Sequence, residues 1–579
     1  MNTMIGIDLG TTNSEVAVVQ NGQVLVLKIE GSKIVPSVVS LDAEGEILVG
    51  KAAVNNELAS PENTIRWVKR QMGEEELLSL GNQTYTPSMI SSFILKKLKL
   101  AAEDFLQHPV EKAVITVPAF FNEKQREATK EAALLAGLEP VRLLNEPTAA
   151  ALAYSLNKKE RELCLVYDLG GGTFDVSIVQ LSPEVMEVKA SHGDTELGGS
   201  DIDHLIAGRI RQEFLEVHGV DLSKDSLAWI RVMRAAETAK MRLSTEPSVQ
   251  IVEEFITTKE GIPLHLRYNL LRTDLEEMVL PLLERTLSSV RKTLEMAEIT
   301  PEQIDRVILV GGVTHMPLVS QLLEKELQVV PQAWVDPSTV VARGAAIEAT
   351  SLAGQPLGPT MVDITPHSLG TECLDEYYYP FNEILIRRNT PIPCTASKVF
   401  YKMHSHQNLV KINVYQGESR EVAQNQLLGQ FTLDELSESP GLAILVKYHL
   451  DRSGLLHVTA SDVATGKQIQ RALKKMKRAR QQDVELAHLE SVRIYHKPAL
   501  QTEASSDSEE DWDELSEVEE SSSSVGLDSE QLFAKVQALL EKQTLETTDQ
   551  EDLNQAFERA KTGDPEAVEK LSSLVYYLE

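Results

Sequence analysis

Two distant stretches of the chain spell the same local structure. "MIGIDLGTTNSEVAVVQNGQVLVL", beginning at Met4, and "LCLVYDLGGGTFDVSIVQL", over 163–181, each run from an apolar strand to an aspartate (Asp8, Asp168), a Gly/Thr turn and a second alternating strand. One copy alone reads as a tight β-hairpin, with glycine supplying the φ > 0 conformations such turns need. Asn21-Gly22 marks a further hairpin turn in the first copy. Two copies read as an internal duplication, with one hairpin in each of two lobes facing across a cleft. Backbone N–H groups of such turns converge on anions, and the hydroxyls of Thr11, Thr12 and Thr173 add donors. Asp8 and Asp168 are placed to hold a magnesium through its waters. The pattern predicts a polyphosphate clamp.

A chain of 579 residues has room for several domains, including a sizeable two-lobed core. No run of 18 or more apolar residues occurs, and the first residues enter a strand without a basic and then apolar leader. The three cysteines, Cys164, Cys373 and Cys394, are widely spaced. They fit a reducing compartment and exclude a disulfide framework or a cysteine-built zinc site. A formal net charge of -31 argues against nucleic acid or an anionic membrane as partner. The basic run around Lys474 to Arg480 reads as a solvated helix face.

Strands and amphipathic helices alternate up to about residue 352, the pattern of an α/β domain. In "KAVITVPAFFNEKQREATKEAALLAGL" a strand ends at Pro118, and a helix follows with Asn122 as N-cap, Gln125 three residues on and Gly137 at its end. Pro147 opens the next helix. Residues 353–363 have the Gly and Pro content of a linker. Over 364–473 short alternating runs separated by "QGES", "DRSG" and "ATGK" predict an all-β sandwich. A short helical segment is expected over 474–502. An acidic, serine-rich tether is expected over 503–526, too charged to fold alone, and a helical period returns over 527–579.

No G-x-x-x-x-G-K-[ST] or G-x-G-x-x-G stretch is present, so the phosphates are held by neither a P-loop nor a dinucleotide fold. Two further glycine pairs, Gly311-Gly312 in "VILVGGVTHMP" and Gly198-Gly199 in "DTELGGSDID", read as plain turns or as points of close approach to a nucleoside.

Together with "NEPTAAALAY", "AAETAKMRLS", "RGAAIEA", "DITPHSLGTE", "NTPIP" and "LHVTASDVATGK", these stretches resemble the 70 kDa heat-shock chaperone family of the DnaK type, within the actin and sugar-kinase superfamily. The resemblance implies an actin-like two-lobed ATPase domain over 1–352, followed by the linker, a peptide-binding β-sandwich and a reduced helical lid. It implies ATP or ADP with Mg2+ as cofactors, and K+ as a further candidate ion. Lys69 falls at the family's catalytic lysine, while Glu146 and Asp175 fall at carboxylates that position water and metal ligands. Asp168 belongs to the same group, and Thr173 matches the γ-phosphate hydroxyl. The clamp takes in Asp8, Gly10, Thr11, Thr12 and Asn13 on one side and Gly170, Gly171 and Gly172 on the other. Glu237, Lys240 and Ser244 match the ribose and adenine contacts, with Gly198, Gly199, Gly311 and Gly312 near them. His315 stands where the family usually has an arginine that stacks on adenine, which implies weaker nucleotide affinity.

In the sandwich the resemblance points to Thr371, Cys373, Leu374, Phe400, Met403, Val410 and Ile412 as the lining of a peptide site, with Tyr377 to Tyr379 on its rim. Taken singly, Phe400, Val410 and Ile412 read as core residues, whereas Leu374 and Met403 fall in predicted loops. Extended apolar peptides of unfolded proteins, a J-domain cochaperone and a nucleotide exchange factor are the implied partners. Pro118 and Arg126 match the family's relay between domains, and Arg142, Asn145 and Thr148 match part of its J-domain surface. Two departures carry expectations of their own. Pro356, Gly358 and Pro359 in the linker predict weaker docking, because proline lacks the N–H of an added strand. The shortened lid predicts fast peptide release. The C-terminal "SSLVYYLE" is unlike the acidic tail of eukaryotic cytosolic members, so a bacterial-type cytoplasmic setting is expected. Two other readings stay open: an adaptor or client-specific chaperone with weak ATPase coupling, and a small-molecule kinase of the same superfamily, which leaves 364–473 unexplained.

Overall fold

The computed structural model describes residues 3–472 except 157–159, 332–335, 376, 378, 403–408, 435 and 437–442, with only the backbone of 470–472. The segments expected over 474–579, including the reduced lid and the fast release drawn from it, lie outside the described residues, as do Met403 and Tyr378.

Each lobe is organised by one of the two hairpins. In the first lobe Met4–Leu9 pairs antiparallel with Asn13–Gln20 and parallel with Lys112–Val117, and the sheet continues to Glu139–Asn145 on one side and Gln23–Val26 on the other. The Asn21-Gly22 turn has φ of 53° and 78°, as a two-residue hairpin with the strand twist requires. In the second lobe Glu162–Leu169 pairs antiparallel with Phe174–Leu181 and parallel with Arg306–Val310. The same topology has been built twice.

The lobes meet on two alanine-rich helices, Glu146–Ser155 and Val340–Leu352. Ala149, Ala150, Ala345 and Ile347 are fully buried there. A Cβ on Gly344 would overlap the Ala149 carbonyl, and one on Gly6 the Ala346 amide. Only glycine admits so close a backbone approach. The helix Glu123–Leu135 starts on the predicted capping box of Asn122 and Gln125, and Gly137 takes φ 73° just past its end.

The linker differs from expectation. Thr360–Ile364 adds as a parallel strand to Val185–Asp194, with Val185 opposite Thr360 and Met186 opposite Met361, and Pro391–Ile392 pairs on its far side. Pro356 and Pro359 stand ahead of this ladder, so no position of the linker strand itself lacks its N–H. The second-lobe sheet therefore runs through the linker into the next domain.

Among the described residues that domain forms two four-stranded antiparallel sheets, consistent with the expected sandwich. One holds Leu369–Leu374 between Pro380–Ile386 and Val410–Gln416; the other is centred on Ala443–Leu450 and Leu456–Asp462. Ile412, Val414, Val446 and Val458 fill the space between them, and full burial of such a side chain contributes about 2 kcal/mol. The Tyr448 hydroxyl crosses the core to donate to the Gly370 carbonyl at 2.9 Å.

Candidate functional site

The two glycine turns face each other. A Cβ on Gly171 would overlap the Thr12 hydroxyl, and one on Gly172 would overlap the Thr11 methyl. The second turn is also seated on the start of the helix Gly199–His218, where the Gly199 and Ser200 N–H groups donate to the Gly170 and Gly171 carbonyls at 2.9 and 2.8 Å. Arg70 of the first lobe reaches across, donating from Nε to the Gly172 carbonyl at 2.9 Å and pairing with Asp201 at 2.5 Å. The predicted facing hairpins are thus present, with Gly10, Thr11, Thr12 and Asn13 on one side and Gly170, Gly171, Gly172 and Thr173 on the other. Thr11 and Thr173 are buried.

Below the turns lies a cluster of buried carboxylates. Strand register sets Asp8 opposite Glu15 and Asp168 opposite Asp175. Thr116 donates to Asp8 at 2.7 Å, and Asp175 accepts from the Ala119 and Phe120 N–H groups at 3.2 and 3.1 Å. Lys69 is buried in the short 3-10 turn Val68–Gln71 and forms an ion pair with Glu146, at the start of one central helix. Burial works against its ammonium, but Glu146, Asp8 and Asp168 outweigh this and hold the lysine pKa above its ordinary value. Burial raises Glu146 to about 7 and Asp175 to about 6. It also raises Asp168 and Glu15, with the neighbouring carboxylates adding to the effect.

Glu15 was not among the residues singled out from sequence, although a signal for it existed: it follows Asp8 at the spacing by which Asp175 follows Asp168. Arg70, Asp201 and Thr116 carried no comparable signal. Among the described residues no three His, Cys, Asp or Glu side chains converge to hold a metal ion directly. Five buried carboxyls around a single lysine disfavour one another's ionised form, and a bound cation would favour it.

Glu237 and Lys240 lie on the helix Ser226–Leu243, and Ser244 follows it directly. Lys240 donates to the Gly199 carbonyl at 3.1 Å and is paired with Asp203 at 2.8 Å. Gly311 takes φ 84°, where a Cβ would overlap the Leu169 carbonyl, and His315 is exposed at the end of the turn Gly312–His315. A cavity of about 380 Å³ opens beside Glu237, with Trp67, His204, Trp229 and Met233 in its wall. Glu57 spans the lobes there, held by Arg66 at 2.5 Å and by Arg234 at 2.7 Å.

The predicted peptide-site residues form a separate group in the sandwich. Ile412 is core, and Phe400 and Val410 pack against that core. Thr371 is buried and donates to the Asn413 carbonyl at 2.9 Å. Leu374 ends the strand Leu369–Leu374 instead of lying in a loop, with its side chain exposed. Tyr377, Tyr379 and Tyr401 are also exposed. Burial raises the half-buried Cys373 thiol to about 12.

Between the domains Arg126 is buried and donates to the Asn145 side chain at 2.7 Å and the Ser453 carbonyl at 3.3 Å. Asn145 in turn donates to Asp363 of the linker at 3.1 Å. Glu123 is buried beside them and accepts the Leu456 N–H at 2.8 Å. Arg142, Asn145 and Thr148 do not form an open surface: all three are buried, and Arg142 pairs with Glu348 at 2.6 Å. In this arrangement the matched J-domain positions are covered. A family model described as Hsp70 protein matches residues 4–80 and 76–575 of the chain.

Proposed function

Because the chain belongs to the Hsp70 family, whose members are chaperones and ATPases, we propose that it hydrolyses ATP to control its hold on extended apolar peptide segments. The observation that carries this reading is the pair of facing Gly/Thr turns above the buried Lys69–Glu146 pair. Backbone N–H groups and the hydroxyls of Thr11, Thr12 and Thr173 suit polyphosphate oxygens. Asp8 and Asp168 would hold magnesium through its waters, in keeping with the cluster of carboxyls that a cation would ionise. Magnesium, when bound, neutralises charge on the phosphoryl oxygens.

In this reading Lys69 places positive charge near the transferred phosphoryl group, and Glu146 and Asp175 orient the attacking water. A carboxyl raised to about 7, as in Glu146, is well matched to taking a proton near neutral pH. Glu237, Lys240 and Ser244 serve the nucleoside. Beyond the bonds to Gly199 and Asp203, Lys240 keeps one N–H for that purpose among the described residues. His315, exposed and without a guanidinium, gives weaker stacking on adenine.

In the sandwich, Leu374 with Tyr377, Tyr379 and Tyr401 offers apolar surface to an extended peptide. Thr371, Cys373, Phe400, Val410 and Ile412 support that surface from behind. The continuous sheet through Thr360–Ile364 and the Arg126–Asn145–Asp363 contacts favour coupling of the two domains over an uncoupled adaptor. A J-domain cochaperone would reach Asn145 only after its contact with Asp363 of the linker opens, and a nucleotide exchange factor and a cytoplasmic setting complete the proposal.

The test is steady-state ATP hydrolysis by the full chain, with and without a Leu-rich extended peptide, beside Lys69→Ala. Hydrolysis that peptide stimulates and Lys69→Ala abolishes is the expected result. Hydrolysis indifferent to peptide overturns the coupled chaperone, and its absence overturns the ATPase.

A further inference from the structure

Phe120 sits where three parts of the chain meet. Its ring lies between two imidazoles, His192 from the strand Val185–Asp194 and His367 from the segment after the linker strand, with ring centroids 5.0 and 4.3 Å away. His367 Nε2 lies 3.1 Å from the Phe120 carbonyl oxygen. A carbonyl only accepts, so this nitrogen carries the proton in the contact. The N–H groups of Phe120 and Ala119 point the other way, one to each oxygen of Asp175.

The site is built closely enough to transmit a displacement. Asp175 is opposite Gly193, and a Cβ at Gly193 would come within 2.6 Å of the Asp175 carboxylate and 3.0 Å of Phe120 Cβ. His192 Nδ1 is buried with no hydrogen-bond partner among the described residues, so this ring acts by packing. Burial lowers both imidazoles to about 4, which makes the His367 contact a neutral hydrogen bond near pH 7.

We propose that His367 is a positioning residue for Asp175. While the sandwich is docked, its imidazole N–H and ring hold Phe120, and Phe120 with Ala119 holds both carboxylate oxygens. When the sandwich leaves, His367 leaves with it, the loop relaxes, and Asp175 is free to turn toward water. The effect on hydrolysis rests on the reading of Asp175 as a water-orienting group; the effect on the loop does not.

Two variants of the full chain separate donor from ring. His367→Phe keeps an aromatic ring against Phe120 but has no N–H to give; His367→Gln keeps a donor and loses the ring. Amide hydrogen exchange at Ala119 and Phe120 is expected to quicken about tenfold in His367→Phe and to return within about threefold of the parent in His367→Gln. In hydrolysis, the basal kcat of His367→Phe rises to the parent's peptide-stimulated value with KM for ATP unchanged, so its stimulation ratio falls to about one, and His367→Gln restores the ratio. Unchanged exchange in His367→Phe overturns the proposal, and so does equal behaviour of the two variants. If the parent shows no stimulated hydrolysis, the proposed function has failed, and exchange alone decides for or against His367.

Discussion

The two hairpins share one topology and face each other, yet they are held differently. In the first, Asp8 is opposite Glu15 and accepts from Thr116 of its own sheet. In the second, Asp168 is opposite Asp175, and Asp175 accepts from the loop that also touches the sandwich through His367. One half is anchored within its lobe; the other is connected to the next domain. A duplicated framework can thus present two facing turns while only one copy is in contact, through Phe120 and His367, with the next domain.

Removing the charge both halves share has the largest expected effect. Lys69→Ala is expected to lower single-turnover ATP hydrolysis by about a hundredfold or more, and a loss under tenfold would remove Lys69 from the chemistry. The difference between the halves comes next. Asp175→Asn should lower kcat by about a hundredfold, whereas Glu15→Gln should stay within about threefold, because a carboxyl already raised by burial and by Asp8 loses little when made neutral. Equal losses would break the comparison.

Gly193→Ala drives a methyl toward the Asp175 carboxylate and the Phe174 carbonyl. A loss of about 2 kcal/mol in denaturant unfolding at constant m is expected, and an unchanged midpoint would show that the strand gives way freely.

A further effect, on docking and not on the chemistry, is on pH. Burial raises Glu123 to about 8 in the docked form, against an ordinary 4.5. The docked form therefore binds more protons between those values, so docking weakens as pH rises from about 4.5 to about 8 and levels off above. The steepest change is about tenfold in the docking equilibrium per pH unit. Protease protection of the linker across this range checks it, with Glu123→Gln expected to flatten the profile. Docking that strengthens with pH would exclude Glu123 as the source.

Much of the fold was legible because it is local. Alternation and the Gly/Thr turns marked both hairpins, Asn21-Gly22 marked the turn that follows the first, Asn122 and Gln125 capped their helix, and the runs after 364 gave the sandwich. Lys69 was not legible from pattern: a lone lysine in "TIRWVKRQMG" reads as a solvated helix residue, and only resemblance singled it out. In the structure Trp67 turns through φ 56° and sends Lys69 into the core in a short 3-10 turn. The linker prolines misled for a related reason. They are poor strand residues, but the paired strand begins just beyond them.

By itself the sequence determined which segments become strands and helices and where the two Gly/Thr turns fall, since these depend on side-chain periodicity and on glycine. Tertiary structure alone decided that Asp8, Asp168, Glu146 and Lys69 share one buried site, because their charges meet only when distant segments pack. It also decided that Asn145 reaches Asp363 of the linker and that His367 reaches Phe120. Those contacts depend on a docked domain, and no periodicity along the chain records which surface a domain will cover.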